Sequence, residues 1–244
     1  MELLNKSFEE IKRVKNPEII NDFLIKLSED PDEDYLIYIN YLIDNLDKQI
    51  LNKVNLNLIF FIGEIGKIVI LNDRYLTFLI ETYYTSDRWI RNEIIQTIGK
   101  ISQKTEISDD IIKLVINAVN DDYHSIKSNA LQVILNLKEI PLNKSEFIFR
   151  ILNLKNKELE KLCIQIIEKF LPDYTQLINS LSYSENYKIL KPFAIRTLLL
   201  VYFRSVINIE SFREKISNSN WEMEYKEIYV KEIDTFEKVI LKNL

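Results

Sequence analysis

The stretch Ser86-Asp87-Arg88-Trp89-Ile90-Arg91-Asn92-Glu93-Ile94-Ile95-Gln96-Thr97-Ile98-Gly99-Lys100-Ile101 decides how this chain folds. Its apolar residues Ile90, Ile94, Ile98 and Ile101 recur at steps of three and four, the period of one buried face of an α-helix. Asp87 stands just ahead of them, where a carboxylate accepts the unpaired N–H groups of a first turn. The end of the stretch has a twin, because Ile65-Gly66-Lys67-Ile68 precedes Ile98-Gly99-Lys100-Ile101 by 33 residues. A step of 36 residues forward turns Ile90-Arg91 and Ile94 into Ile126-Lys127 and Ala130, with Ile134 and Leu137 keeping the later phase. Another 33 residues give Leu159, Cys163, Ile167 and Phe170, and a final 31 give Leu190, Ala194, Leu198 and Val201. One apolar face thus stays in phase through a repeat of 31 to 36 residues, the mark of a stacked array.

Working outward, the same period predicts helices at about 2–13, 17–28, 33–46, 51–69, 73–84, 88–102, 108–119, 123–138, 144–153, 157–170, 173–182, 186–204, 209–217 and 220–242. They pair as hairpins. The position four after the Ile90 class holds Ile94, Ala130, Cys163 and Ala194, three small residues in four, as helices in close approach require. All three glycines, Gly63, Gly66 and Gly99, fall inside predicted second helices, where each costs about 1 kcal/mol relative to Ala unless close packing compensates.

Composition supports an all-α chain. Three Gly and five Pro in 244 residues are too few for the turns of sandwiches, barrels or phosphate-cradling loops. One His, His124, and one Cys, Cys163, exclude a disulfide framework and a zinc site built from these residue types. The N-terminus lacks the pattern of a secretory signal, and the densest apolar runs are far shorter than a membrane span, so a cytoplasmic protein with no membrane insertion is expected. With 32 Lys plus Arg against 37 Asp plus Glu, the net charge of −5 offers no bulk attraction to nucleic acid.

The quoted stretch resembles the HEAT repeat family, with its Asp, its aliphatic-Arg pair and its small-residue and Gly positions. Asp121-Asp122 with Ile126-Lys127 and Ala130 is a second similar copy, while the copies at Leu159 and Leu190 carry Glu160 and Lys191 in place of the Arg. The resemblance implies antiparallel helix pairs stacked into a curved α-solenoid, about six pairs across a single domain of residues 1–244. On this reading residues 1–50 are N-terminal capping helices, 51–205 the repeats and 206–244 C-terminal capping helices. The terminal helices must be polar on their outer side, and 220–242 suits that task, with Trp221, Tyr225, Tyr229, Ile233 and Phe236 at helical steps.

Removing the apolar face from the second helices leaves a stripe of sixteen positions. Its rows read Arg88, His124, Lys157, Lys188, then Asn92, Ser128, Lys161, Pro192, then Gln96, Gln132, Gln165, Arg196, then Lys100, Asn136, Lys169, Leu200. Seven are Lys or Arg and none is acidic, where even scatter would place about two cations. The expected activity is therefore binding. No catalytic residue, metal site or cofactor is assigned, and Cys163 is expected to be an inert packing residue. The partner expected is an acidic or extended protein segment, gathered by the cations and by adaptable hydrogen bonds from Gln96, Gln132 and Gln165. The alternatives are a nucleic-acid binder of the HEAT-like DNA glycosylase kind, and a subunit docking by its convex face or C-terminal helix. Trp89 is expected in the core or between pairs, with a stacking platform as the alternative. The acidic cluster Asp30-Pro31-Asp32-Glu33-Asp34 is expected to start a helix, since Tyr35 and Tyr41 stand where a calcium loop needs Gly and Glu.

Overall fold

The computed structural model of the chain describes residues 2–139, 146–203 and 209–240. Every regular element among them is helical. The chain groups into two compact units, Met1–Asn136 and Leu137–Leu244. The first contains α1 (Glu2–Val14), α2 (Pro17–Ser28), α3 (Leu36–Asn45), α4 (Lys48–Gly66), α5 (Asp73–Thr85), α6 (Arg88–Ile101), α7 (Asp109–Ala118) and α8 (His124–Asn136). The second contains α9 (Glu146–Leu152), α10 (Lys157–Phe170), α11 (Tyr174–Ser182), α12 (Pro192–Tyr202), α13 (Ile209–Ser217) and α14 (Met223–Thr235).

Helices start where short polar side chains take up unpaired N–H groups. Asn16, Asp47, Asn72, Asp87, Ser108, Asn156 and Asp173 cap α2, α4, α5, α6, α7, α10 and α11 in this way. Asp32 does the same for a 3-10 turn over Glu33–Tyr35, so the acidic cluster does begin a helix. The turns leaving α1 and α9 are unusual. Lys15 and Lys155 adopt left-handed backbone there, with φ of 48° and 51°, where Gly or Asn is the ordinary choice. Each is tied to a later helix: Lys15 Nζ donates to the Asn45 carbonyl (2.8 Å), and Lys155 Nζ sits 4.9 Å from the Phe193 ring.

In the first unit α2, α4, α6 and α8 lie side by side, and α3, α5 and α7 each pack on the following helix of their own hairpin. The side-by-side relation reaches back to α2, ahead of residue 51 where the sequence register begins. Of the phased residues, Ile65, Ile94, Ile98, Ile101, Ile126, Ala130 and Ile134 are buried between them, whereas Ile90 is half-buried and Ile68, just past the end of α4, is exposed. At the α4–α6 contact a side chain on Gly63 would meet Thr97 Oγ1 at 2.9 Å and one on Gly66 would meet Ile101 Cγ1 at 2.6 Å. At Gly99 the nearest atom, Val133 Cγ2, is 3.2 Å away. Close approach is the compensation for glycine inside these helices.

In the second unit α9 packs on α10, and α12 on α9, α10 and α14. Leu159, Cys163, Ile167, Leu190, Ala194 and Leu198 are buried in phase, while Phe170 and Val201, the last members of their copies, are half-buried. Trp221, Tyr229, Ile233 and Phe236 close the end of this unit: the Trp221 ring stacks on Tyr187 at 4.7 Å, and its Nε1 donates to Ser182 Oγ (2.8 Å).

Several boundaries differ from expectation. The helix expected over 186–204 is broken: a 3-10 segment runs over Tyr183–Lys188, with Ser184 and Glu185 at φ 48° and 58°, and the α-helix begins at Pro192. Proline has no N–H to give a preceding turn and pushes Lys191 into extended backbone (ψ 156°), so the chain restarts there. α4 begins at Lys48, because Asp47 caps it. The helix expected over 220–242 is α14 followed by a π-turn at Phe236–Ile240; residues 241–242 lie outside the described residues, as do residues 144–145 expected to open α9 and residue 204.

The glycine contacts predict an asymmetry. Gly66→Ala should destabilise the chain by about 1–3 kcal/mol despite its better helix propensity, because Ile101 must move. Gly99→Ala should lie within about 1 kcal/mol of wild type. Urea titrations of the two variants measure this, and equal midpoints would show that α4 and α6 are not in tight contact.

Candidate functional site

Within the first unit, α6 carries Arg88, Asn92, Gln96 and Lys100, and α8 carries His124 and Gln132. Arg88, Gln96, His124 and Gln132 are exposed, whereas Asn92 and Lys100 are half-buried. Asn92 is used between helices, its Oδ1 accepting from Asn129 Nδ2 of α8 (3.0 Å). Equivalent bonds join the other neighbours: Asn57 Nδ2 donates to Asn21 Oδ1 (2.9 Å), and the buried Thr97 hydroxyl donates to the Ile59 carbonyl (3.0 Å). These groups fix the lateral fit of the helices and leave Gln96 and Gln132 facing solvent.

Lys100 is not a free cation. Its Nζ lies 3.0 Å from Glu64 Oε1 and 3.6 Å from Glu93 Oε1, and 4.1 Å from the Phe60 ring. Lys67 adds a second bond to Glu64 (2.6 Å). Burial alone would raise the Glu64 pKa, but the hydrogen bonds and charges of Lys67 and Lys100 outweigh it and hold this carboxyl below its ordinary value. Glu93 goes the other way: burial raises it, and the pull of Lys100 does not make up the difference. Sequence reasoning missed both carboxylates because the stripe was drawn through positions that exclude them. The available signal was Lys67 three residues after Glu64, and Lys100 seven after Glu93 on the same helix.

Arg91, in the Ile90-Arg91 pair, spans to the next hairpin: its Nε donates to Asp121 Oδ2 (3.0 Å) and its Nη2 to Asp121 Oδ1 (3.3 Å). Trp89, expected inside, is 64% exposed. It is the second residue of α6, and its ring lies 4.8 Å from the guanidinium carbon of Arg88.

Within the second unit, Lys157, Lys161, Gln165 and Lys169 of α10 are exposed. Lys157 and Lys161 have no carboxylate partner among the described residues, and Lys169 Nζ donates to the Leu137 carbonyl (2.8 Å). Two expected cations are compensated. Lys188 lies on the 3-10 segment instead of a second helix and pairs with Glu185 (2.8 Å) and Glu222. Arg196 of α12 pairs with Glu232 of α14 (2.9 Å). The stripe is thus less basic than its letters.

Chemically, this surface offers amides, guanidinium and ammonium groups. Cys163 is fully buried, and burial together with Glu160 pushes its thiol well above the ordinary range. Among the described residues no three His, Cys, Asp or Glu side chains gather as metal ligands, and no helix is long and apolar enough to cross a membrane.

No protein-family model matches the chain. No curated protein matches it either. The structure is similar to the crystal structure of an engineered protein, a Northeast Structural Genomics Consortium target, over 96% of this chain and 98% of the other, with 10% identity and a TM-score of 0.51. That likeness concerns fold alone.

Two outcomes follow from the titrating groups. Glu64→Gln should lower stability above about pH 5, where wild-type Glu64 is ionised in both folded and unfolded chains. The deficit should shrink as pH falls below about 4.3 and vanish once the folded-state carboxyl is protonated, which urea titrations across this range will read. Cys163 should react with a thiol reagent only after denaturant unfolds the chain, as followed by absorbance of the released group.

Proposed function

We propose that the chain is a cytoplasmic, non-enzymatic, HEAT-like solenoid scaffold that holds an acidic or extended protein segment against the exposed side of its second helices. The observation that carries this reading is the side-by-side packing of α2, α4, α6 and α8, with Gln96, Gln132 and Arg88 directed to solvent from α6 and α8. A glutamine amide both donates and accepts, so an array of them suits the backbone of an extended chain. Lys157, Lys161 and Gln165 present the same kinds of group from α10. The attractive charge is assigned to Arg88, Lys157 and Lys161, because Lys100, Lys188 and Arg196 are already neutralised by Glu64, Glu185, Glu222 and Glu232.

Charge reversal at Arg88, Lys157 and Lys161 tests the proposal. The tagged full chain should capture proteins from native lysate that elute as salt rises toward about 0.5 M, and the triple Glu variant should retain less than about a tenth of them. Identical captured sets would overturn the charged-face reading. Retention of random duplex DNA at low salt, falling steeply as salt rises, would favour a nucleic-acid binder instead.

A further inference from the structure

Five described arginines hold carboxylates: Arg74 with Asp44, Arg91 with Asp121, Arg150 with Glu146, Arg196 with Glu232, and Arg213 with Asp234 and Glu237. Arg88 is different. Its guanidinium carbon lies 4.8 Å from the Trp89 ring centroid and 4.9 Å from that of Tyr123, and no carboxylate among the described residues pairs with it. Stacking occupies the faces of a guanidinium and leaves its in-plane N–H donors to bond elsewhere. Both rings are outside the core, Trp89 at 64% exposure and Tyr123 at 40%.

The cluster is held in place from below. Asp87 Oδ1 accepts the Trp89 backbone N–H (2.9 Å), and Asp121 Oδ1 accepts that of Tyr123 (3.0 Å). Arg91 in turn clamps Asp121, and its own guanidinium lies 6.0 Å from the Tyr123 ring. Two adjacent hairpins thus fix the backbone beneath one aromatic ring each and share one guanidinium. Trp, Tyr and Arg dominate the residues that anchor protein interfaces, and a preordered set loses little entropy on binding.

Resting on the scaffold reading above, we propose that Arg88, Trp89 and Tyr123 form the anchor for one carboxylate of the bound protein segment. The carboxylate pairs with the Arg88 guanidinium in the forked geometry, and Trp89 and Tyr123 take apolar side chains on either side of it. Local charge narrows the occupant. Asp87 is used as a helix cap and Asp121 by Arg91, but Asp122 is exposed beside Tyr123. A second adjacent acid would meet Asp122, so the segment presents a single Asp or Glu flanked by apolar residues, not an acidic run.

The test is selection of a phage-displayed library of random twelve-residue peptides on the full chain, followed by anisotropy titration of the enriched peptides. Enriched peptides should share one Asp or Glu next to an aliphatic or aromatic residue. Arg88→Gln and Trp89→Ala should each weaken them by about tenfold or more, and Arg88→Lys should recover only part of the loss. Both positions are exposed, so melting curves of the variants should overlay wild type. Overturning results are no enrichment, enriched peptides without an acid, equal binding by Arg88→Gln, or stronger binding of a single-stranded oligonucleotide than of any peptide. Peptides that lose binding to Lys157→Glu/Lys161→Glu but not to Arg88→Gln would leave the scaffold reading standing and remove this anchor.

Discussion

The first unit is organised by how closely α4 and α6 approach. With no side chains on Gly63 and Gly66, Thr97 and Ile101 fill the space a Cβ would need. That distance lets the Thr97 hydroxyl reach the Ile59 carbonyl and lets Lys100 reach Glu64. A wider gap would strand both polar groups in a largely dry setting, so tight packing and polar satisfaction are one condition here. The outward direction of Gln96 follows from the same constraint, because a helix that buries Ile94, Thr97, Ile98 and Ile101 has only its opposite edge left for solvent.

Ion pairs between hairpins add register more than strength. Arg74 reaches Asp44 and Arg91 reaches Asp121, each across about one repeat. Pairs as exposed as Arg74 with Asp44 contribute roughly 0–1 kcal/mol, too little to hold a fold, but they disfavour a slipped arrangement. Asp121 is the more committed partner. It also accepts from the Tyr83 hydroxyl, and burial together with the Asp121 charge pushes that phenol up to about 12.

The helices were legible because period and caps agree. Pro17 to Ser28, Lys157 to Phe170 and Ile209 to Ser217 begin and end where the letters place them. The break before Pro192 was not legible: Leu190, Ala194 and Leu198 stay buried whether or not the helix continues through Lys188, so burial phase cannot report the interruption. The exposure of the stripe was legible in the letters, but its charge was not. Gln96, Gln132, Gln165, Lys157 and Lys161 do face solvent, yet beyond the nearby Glu185 the carboxylates that neutralise Lys188 and Arg196 are Glu222 and Glu232, 34 and 36 residues away. Only stacking brings them together. Trp89 was misplaced for a related reason: its neighbour Ile90 carries the apolar phase, and hydrophobicity alone does not tell an indole in the core from one stacked on a surface guanidinium.

Glycine and lysine have exchanged their customary places in this protein. Glycine sits inside helices, and the bends after α1 and α9 are made by Lys15 and Lys155, whose long side chains grip the end of α3 and a ring on α12. Such a bend doubles as a tether, since the residue that turns the chain also touches the following hairpin. Shortening or lengthening either hairpin would part the lysine from that contact, so the turn and its tether belong together.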